Sequence, residues 1–229
     1  KFKKVIIGKL PIMLKSKFCM LKNITTTKPN KLGECGFDPG GYFIINGSEK
    51  VIISQERVAQ NKVLVFKNNK GSSKYSHVVE IKASTDKKFI TPKSVSIKLT
   101  SKNSINGREL RVFIPNIKQE IPLFIIFRML DIITDKNIVK HIVYDFDNHN
   151  KDIVKLLHGS LKEAEHIHTK EEAYKYISQY VNYIGHPKEI KMNWDKQRKY
   201  IEKLIKTDFL PNVGCSIKKK ALFLGYMTY

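Results

Sequence analysis

The stretch ECGFDPGGYFIINGSEKVIISQERVAQNKVLVF, residues 34–66, decides how this chain is read. Tyr42-Phe43-Ile44-Ile45 and Lys50-Val51-Ile52-Ile53 are short runs rich in β-branched and aromatic residues, the composition of strands. Asn46-Gly47 lies between them and tolerates positive φ, which suits a type I′ or G1-bulge turn. Together these residues predict a tight antiparallel hairpin. Gly40-Gly41 just before the first strand permits sharp backbone geometry or close approach by another segment. Gln55-Glu56-Arg57 puts three long polar side chains where the sheet should end, and residues 63–66 read as a further strand.

On the N-terminal side, residues 4–7 and 11–14 are strand-like runs punctuated by Gly8 and Pro11, and residues 25–31 form a polar loop containing Pro29. On the C-terminal side, KNNKGSSK at 67–74 is a polar connector and the candidate domain boundary. Strands are predicted at 77–83, 95–99 and 110–114; Val95, Ile97 and Leu99 alternate with Ser and Lys as a half-buried strand does. Composition then turns helical. Residues 123–130 are apolar nearly all round, which predicts a buried helix. Thr134-Asp135 offers an N-cap for 138–143. Thr169 with Glu172 forms a capping box ahead of Ala173, Tyr176, Ile177, Tyr180, Val181 and Ile184 on one helical face. Residues 195–209 repeat the pattern, with Ile201, Leu204, Ile205 and Phe209 inward and lysines outward. Strands followed by helices predict an α+β fold for this second region, after a β-rich first region.

The 229 residues carry a net charge of +21, which favours an anionic partner, nucleic acid before a membrane surface. No apolar run approaches the roughly 18 residues that span a bilayer. Cys19, Cys35 and Cys215 are odd in number and form no CxxC pair, so they indicate neither a disulfide framework nor a zinc site and fit a reducing compartment. Asn23-Ile24-Thr25 and Asn46-Gly47-Ser48 match the glycosylation sequon with nothing else pointing to secretion. The sequence begins at Lys1 and stops within the apolar run 221–227, the pattern of a piece of a longer protein.

Most tempting chemistry dissolves on inspection of the ligand sets. His166 and His168 with Glu163 and Glu165 lack a distant fourth ligand, and a solvated face is the simpler reading. Ser54 has no base partner, and the glycines of 33–41 carry no Walker Lys-Ser/Thr pair. The hairpin differs. Asn46, Lys50, Gln55 and Arg57 combine amides, a point charge and a bidentate donor, the groups that grip phosphates and sugars. The competing reading is that Glu49, Glu56 and Arg57 only pair with one another.

Tyr42 to Ile53 followed by Gln55-Glu56-Arg57 resembles the protrusion hairpin of the second-largest, beta-type subunit of multisubunit DNA-directed RNA polymerases, in its eukaryotic or large-DNA-virus form. Four further blocks resemble the same family in the same order. They are Ile7-Gly8-Lys9-Leu10-Pro11-Ile12-Met13-Leu14, Ser76-His77-Val78-Val79-Glu80-Ile81, Ile117-Lys118-Gln119-Glu120-Ile121-Pro122 with Ile125-Ile126-Phe127-Arg128, and Phe223-Leu224-Gly225-Tyr226-Met227. The resemblance implies a part of the protrusion over 1–67 joined to the lobe over 68–229, forming one wall of the DNA cleft. It implies a hairpin beside the RNA–DNA hybrid, contacting backbone through Asn46, Lys50, Gln55 and Arg57.

By the same resemblance the parent reaction is nucleotidyl transfer in DNA-templated transcription, with Mg²⁺ held by the largest subunit and no cofactor, metal or catalytic residue in this segment. The implied partners are DNA, the hybrid, the largest subunit, a small zinc-bearing subunit near the lobe, and initiation factors, with no membrane. The implied setting is the nucleus, or a cytoplasmic viral factory or virion for a large DNA virus. Asp145-Phe146-Asp147-Asn148-His149 is similar to the magnesium-binding aspartate loop of the largest subunit, yet that loop needs a third Asp where Asn148 and His149 intervene, so it reads as a structural loop. The alternative functions are a stand-alone basic nucleic-acid-binding module and a structural interaction domain whose lysines only solvate.

Overall fold

The computed structural model describes residues 3–23, 33–68, 73–85, 91–101, 107–143, 151–185 and 187–229. The loop at 25–31, the Asp145–His149 segment and the centre of the KNNKGSSK connector lie outside them. The chain divides into two compact units, Lys1–Val58 and Ala59–Tyr229.

The first unit holds the hairpin of β1 (Phe43–Ile45) and β2 (Ser48–Lys50). Phe43 faces Lys50, Ile44 faces Glu49 and Ile45 faces Ser48, so Asn46-Gly47 is a two-residue loop. Its φ values of 51° and 78° are both positive, as a type I′ turn requires. The second strand is shorter than its composition suggests. Gly41 turns away at φ 84° and donates to the Leu14 carbonyl, so among the described residues no strand pairs with Val51, Ile52 and Ile53, which are exposed. Residues 4–7 and 11–14 likewise form no strand: Lys4 sits at φ 56°, and just past Leu14, whose backbone bonds to Gly41 and Tyr42, Lys15 turns at φ 58° and ends the pairing.

The second unit is an antiparallel meander covered by helices. Strands β3 (Val63–Lys67), β4 (Tyr75–Ala83), β5 (Lys93–Thr100), β6 (Leu110–Phe113) and β7 (Ile121–Pro122) lie side by side in sequence order. All five residues of β3 pair with β4, so β3 is an edge of this sheet and the two compact units part before the connector at 67–74. Ile81, Val95, Ile97 and Val112 turn one sheet face into the core.

Helix α1 (Leu123–Met129) follows β7 directly and is buried at every position, as its apolar sequence predicts. Its one charge, Arg128, is 2% exposed and donates to the carbonyls of Ala164 and Ile167 and to Asp135 Oδ1, the last at 2.6 Å. Helix α2 (Asp135–Ile142) starts where expected, but Thr134 makes no side-chain cap. Helices α3 (Lys151–Leu156), α4 (His158–Glu163) and α6 (Pro187–Met192) are too short and polar to have announced themselves.

Helix α5 (Lys170–Ser178) has the predicted Thr169–Glu172 capping box. It ends earlier than its apolar face does, because Lys118 N–H donates to the Tyr180 carbonyl and Val181 bridges Ile117, drawing 180–182 into extended pairing. Helix α7 (Trp194–Thr207) buries Ile201, Leu204 and Ile205, with Phe209 buried just past its end. Helix α8 (Ile217–Thr228) closes the core and brings in Lys220, whose buried ammonium donates to the carbonyls of Ile205, Lys206 and Phe209 at the end of α7. Burial pushes the Lys220 pKa down to about 8.

Two features generate stability predictions. A Cβ on Gly225 of α8 would sit 2.0 Å from the His141 carbonyl oxygen of α2, with backbone on both sides. Gly225→Ala should therefore cost about 1–3 kcal/mol, the range for overpacking, read as a lowered melting temperature. Arg111 of β6 donates to both Glu109 and Glu163, and burial pushes the Glu163 carboxyl up to about 7 against the attraction of Arg111 and with the repulsion of Glu109. A carboxyl that binds its proton more tightly folded than unfolded contributes stability that is complete below its ordinary 4.5 and is lost as pH climbs through about 7. Glu163→Gln, which does not titrate, should flatten the fall in melting temperature across that window.

Candidate nucleic-acid interface

The base of the hairpin is tied by one aspartate. Asp38 Oδ1 accepts from the Gly40 N–H at 2.8 Å, and Asp38 Oδ2 accepts from the Tyr42 hydroxyl at 2.5 Å. Lys15 Nζ donates to the Asp38 carbonyl, while Leu14 N–H donates to the Tyr42 carbonyl at 2.9 Å. Residues 14–15 are thereby strapped across the entry to β1. The Tyr42 hydrogen bond, then the Gly40 amide, hold the Asp38 carboxyl below its usual range, and the Asp38 bond pushes the Tyr42 phenol up to about 12. Gly40 has no substitute here: at φ +70°, a Cβ would lie 2.8 Å from both Leu14 O and Lys15 Cβ.

The four residues singled out by sequence are all exposed. Asn46 occupies the tip of the turn. Lys50 stands at the other end of the ladder, opposite Phe43. Its side chain borders a groove of about 290 Å³ lined also by Leu10, Pro11, Ile45 and Ile52. Lysine stems lie along apolar surface in this way while the ammonium stays in water. Gln55 and Arg57 follow on an extended segment outside any strand. The hairpin therefore spreads these groups from tip to base and beyond, rather than gathering them at the tip.

Lys50 and Arg57 form no ion pair among the described residues, so the competing reading, in which Glu49 and Glu56 neutralise Arg57, is not what the side chains do. The Asp38 tie itself was not singled out from sequence; an Asp two residues before a Gly is the local signal of such an Asx turn. His166 and His168 are exposed, and Glu163 is committed to Arg111. Among the described residues no group of three or more His, Cys, Asp or Glu is placed to hold a metal ion, and no helix is long and apolar enough to cross a membrane.

Comparison with known proteins bears out the family resemblance drawn from the sequence blocks. The family model described as RNA polymerase beta subunit matches residues 1–203. The chain is 38% identical over 236 residues to DNA-directed RNA polymerase II subunit 2 of Arabidopsis thaliana, covering 100% of this chain and 19% of that protein. It is 37% identical over 230 residues to the polymerase II subunit RPB2 of Schizosaccharomyces pombe (99% of this chain, 18% of that protein). It is 36% identical over 225 residues to the subunit Rpo2 of Saccharolobus solfataricus (97% and 18%). The chain thus spans under a fifth of the length of these relatives.

Two glycines give a matched test of the hairpin base. Gly40→Ala forces a side chain into a left-handed conformation at a cost of about 1–2 kcal/mol, before any clash with Leu14. Hydrogen exchange at the Leu14 and Gly41 amides should quicken by about 5- to 30-fold on that basis. Gly8→Ala, where a Cβ meets nothing within 4 Å, should leave both rates unchanged.

Proposed function

The chain belongs to the RNA polymerase beta-subunit family, and on that premise we propose that residues 1–67 form part of the protrusion and residues 68–229 the lobe of a second-largest polymerase subunit. As part of a beta subunit it serves DNA-templated transcription. In this reading both regions line the DNA cleft. The parent enzyme is a nucleotidyltransferase whose Mg²⁺ ions are held by the largest subunit, and no residue of this chain takes a catalytic role. Its partners are the largest subunit, a small zinc-bearing subunit near the lobe, initiation factors, DNA and the RNA–DNA hybrid, inside the cell and in the nucleus for a eukaryotic source.

Nucleic-acid backbone is the ligand assigned to Asn46, Lys50, Gln55 and Arg57. The observation that carries the assignment is that Lys50 and Arg57 hold solvent-exposed charges, unpaired among the described residues, on and just after a hairpin locked at its base by Asp38. A rigid element presenting a point charge, a bidentate donor and amides suits phosphates and sugars, which carry no sequence information directly. Ile6, Ile7, Leu10, Ile52 and Ile53 of the same unit are exposed apolar surface, and in this reading the remainder of the much longer subunit covers them.

The test belongs in the assembled enzyme. Lys50→Ala and Arg57→Ala should each shorten the lifetime of the elongation complex by a similar factor on every template sequence. Each lost phosphate contact should lower the magnitude of the log K against log salt slope by about 0.7–0.9. Neither variant strands a carboxylate partner among the described residues, so thermal melts should match the parent. Unchanged slope and lifetime in well-folded variants would make the hairpin a brace and not a contact.

A further inference from the structure

The sheet of the second unit treats its two edges differently. At one edge β7 is two residues long, Pro122 has no N–H to offer, and α1 follows at once. At the other, β3 runs for five residues with no proline and no shift in its register against β4. Sheet edges are ordinarily blunted by short length, proline, bulges or charge, and within β3 only Lys67, the last residue, belongs to that set.

Which backbone groups of β3 face outward follows from the register. Asn68 N–H donates to the Ser76 carbonyl at 2.7 Å, just past the Lys67–His77 pair. Bonded and non-bonded pairs alternate along an antiparallel ladder, so Leu64 and Phe66 direct their N–H and C=O groups toward β4. Val63, Val65 and Lys67 direct theirs the other way, where no strand pairs with them among the described residues. The side chains match an unfinished sheet. Val65 is 68% exposed although Val79, opposite it, packs against the core, and Phe66 is 51% exposed on the other face. The strand is also fixed at both ends. Asn61 donates its N–H to the Lys82 carbonyl at 2.9 Å and accepts the Ser84 N–H on Oδ1 at 2.8 Å, while Asn68 Nδ2 donates to Ser73 Oγ at 2.7 Å.

We infer that β3 is a strand-addition site, whose outer edge takes an extended polypeptide segment with an apolar centre and acidic ends. The outward N–H and C=O groups of Val63, Val65 and Lys67 supply the main-chain bonds, and Val65 and Phe66 supply an apolar contact on each face of the added strand. A template already held in place loses little freedom on binding. Charge sets the ends of the occupant. Lys62 and Lys67 bracket the strand, both exposed and in no ion pair among the described residues. Glu80, the one acid of β3 and β4, stands opposite Leu64, a strand in from the edge. Opposite charges stabilise cross-strand pairs and like charges do the reverse, so acidic ends are selected. A second copy of this chain is disfavoured as the occupant, since each copy carries +21. The site uses neither Lys50 nor Arg57 and does not rest on their assignment.

The test uses the full 229-residue chain and a labelled, end-blocked hexapeptide, Glu-Val-Ile-Thr-Val-Glu, with binding followed by fluorescence anisotropy and no nucleic acid in any arm. Saturating peptide should slow hydrogen exchange several-fold at the Val63, Val65 and Lys67 amides and leave Leu64 and Phe66, already bonded to β4, little changed. Val65→Pro removes one outward donor without touching the β4 ladder, so it should melt with the parent and bind the peptide about tenfold more weakly. Two versions of the peptide, N-methylated at one or the other set of alternate residues, need no protein variant. One should bind about tenfold more weakly and the other like the parent peptide, because only one edge of the added strand meets β3. Lys-Val-Ile-Thr-Val-Lys should bind several-fold more weakly at low salt, with the gap narrowing as salt rises. Even protection across all five β3 amides, equal binding of the two methylated peptides, or equal affinity of the acidic and basic peptides at low salt would overturn the proposal. So would dimerisation of the peptide-free chain that protects the same three amides, which would assign the edge to a second copy.

Discussion

A guanidinium buried in the last turn of a helix with no exposed face is the constraint on which the helical half depends. Helix α1 has no exposed face, so Arg128 cannot reach water and must find its acceptors inside the protein. It finds three of them on two segments: the carbonyls of Ala164 and Ile167, just after α4, and the carboxylate of Asp135 at the start of α2. An uncompensated buried charge costs several kcal/mol, so these segments cannot drift from α1 without exposing that penalty. The same arrangement gives the Ala164 and Ile167 carbonyls a donor where the chain leaves α4 and no helix continues. Lys220 repeats the device one layer out, closing the end of α7 with a buried cation drawn from α8.

The elements legible in the sequence were those whose signals are local. Asn46-Gly47 specifies its own turn through positive φ, and Thr169 with Glu172 specifies the start of α5 through two reciprocal hydrogen bonds. The alternation that sends Val95 and Ile97 into the core, with Ser96 buried between them, and the all-apolar run of α1 are likewise written within a few residues. The departures come from partners that lie far away in sequence. Residues 4–7 and 51–53 have strand composition, but a strand exists only where a second backbone lies alongside. Tyr180 and Val181 continue the apolar face of α5, yet the backbone of 116–118 claims them.

The candidate interface divides in the same way. The residue types at Asn46, Lys50, Gln55 and Arg57 were what singled them out, and the family is shown by the match over residues 1–203. Their spread from the tip to the segment after β2 depends on where β1 begins, which Gly41 decides through its bond to Leu14. Glu163 makes the converse point. Its neighbours His166 and His168 suggest a weak metal cluster on paper, while its actual partner, Arg111, is 52 positions away. No spacing rule reaches that far.

The meander order of the second sheet has a consequence for how the protein is made. Each strand from β4 to β7 pairs with the one synthesised just before it, so the sheet assembles from short loops without waiting for distant segments. During translation the sheet can close while the helices are still within the ribosome, exposing one apolar face for the time it takes the rest of the unit to emerge. That face is capped first by α1, which follows β7 without a linker, and the helical layer is completed last by α8, whose Gly225 lies against the His141 carbonyl of α2. The nascent chain is thus most in need of a chaperone between the emergence of β7 and that of α8.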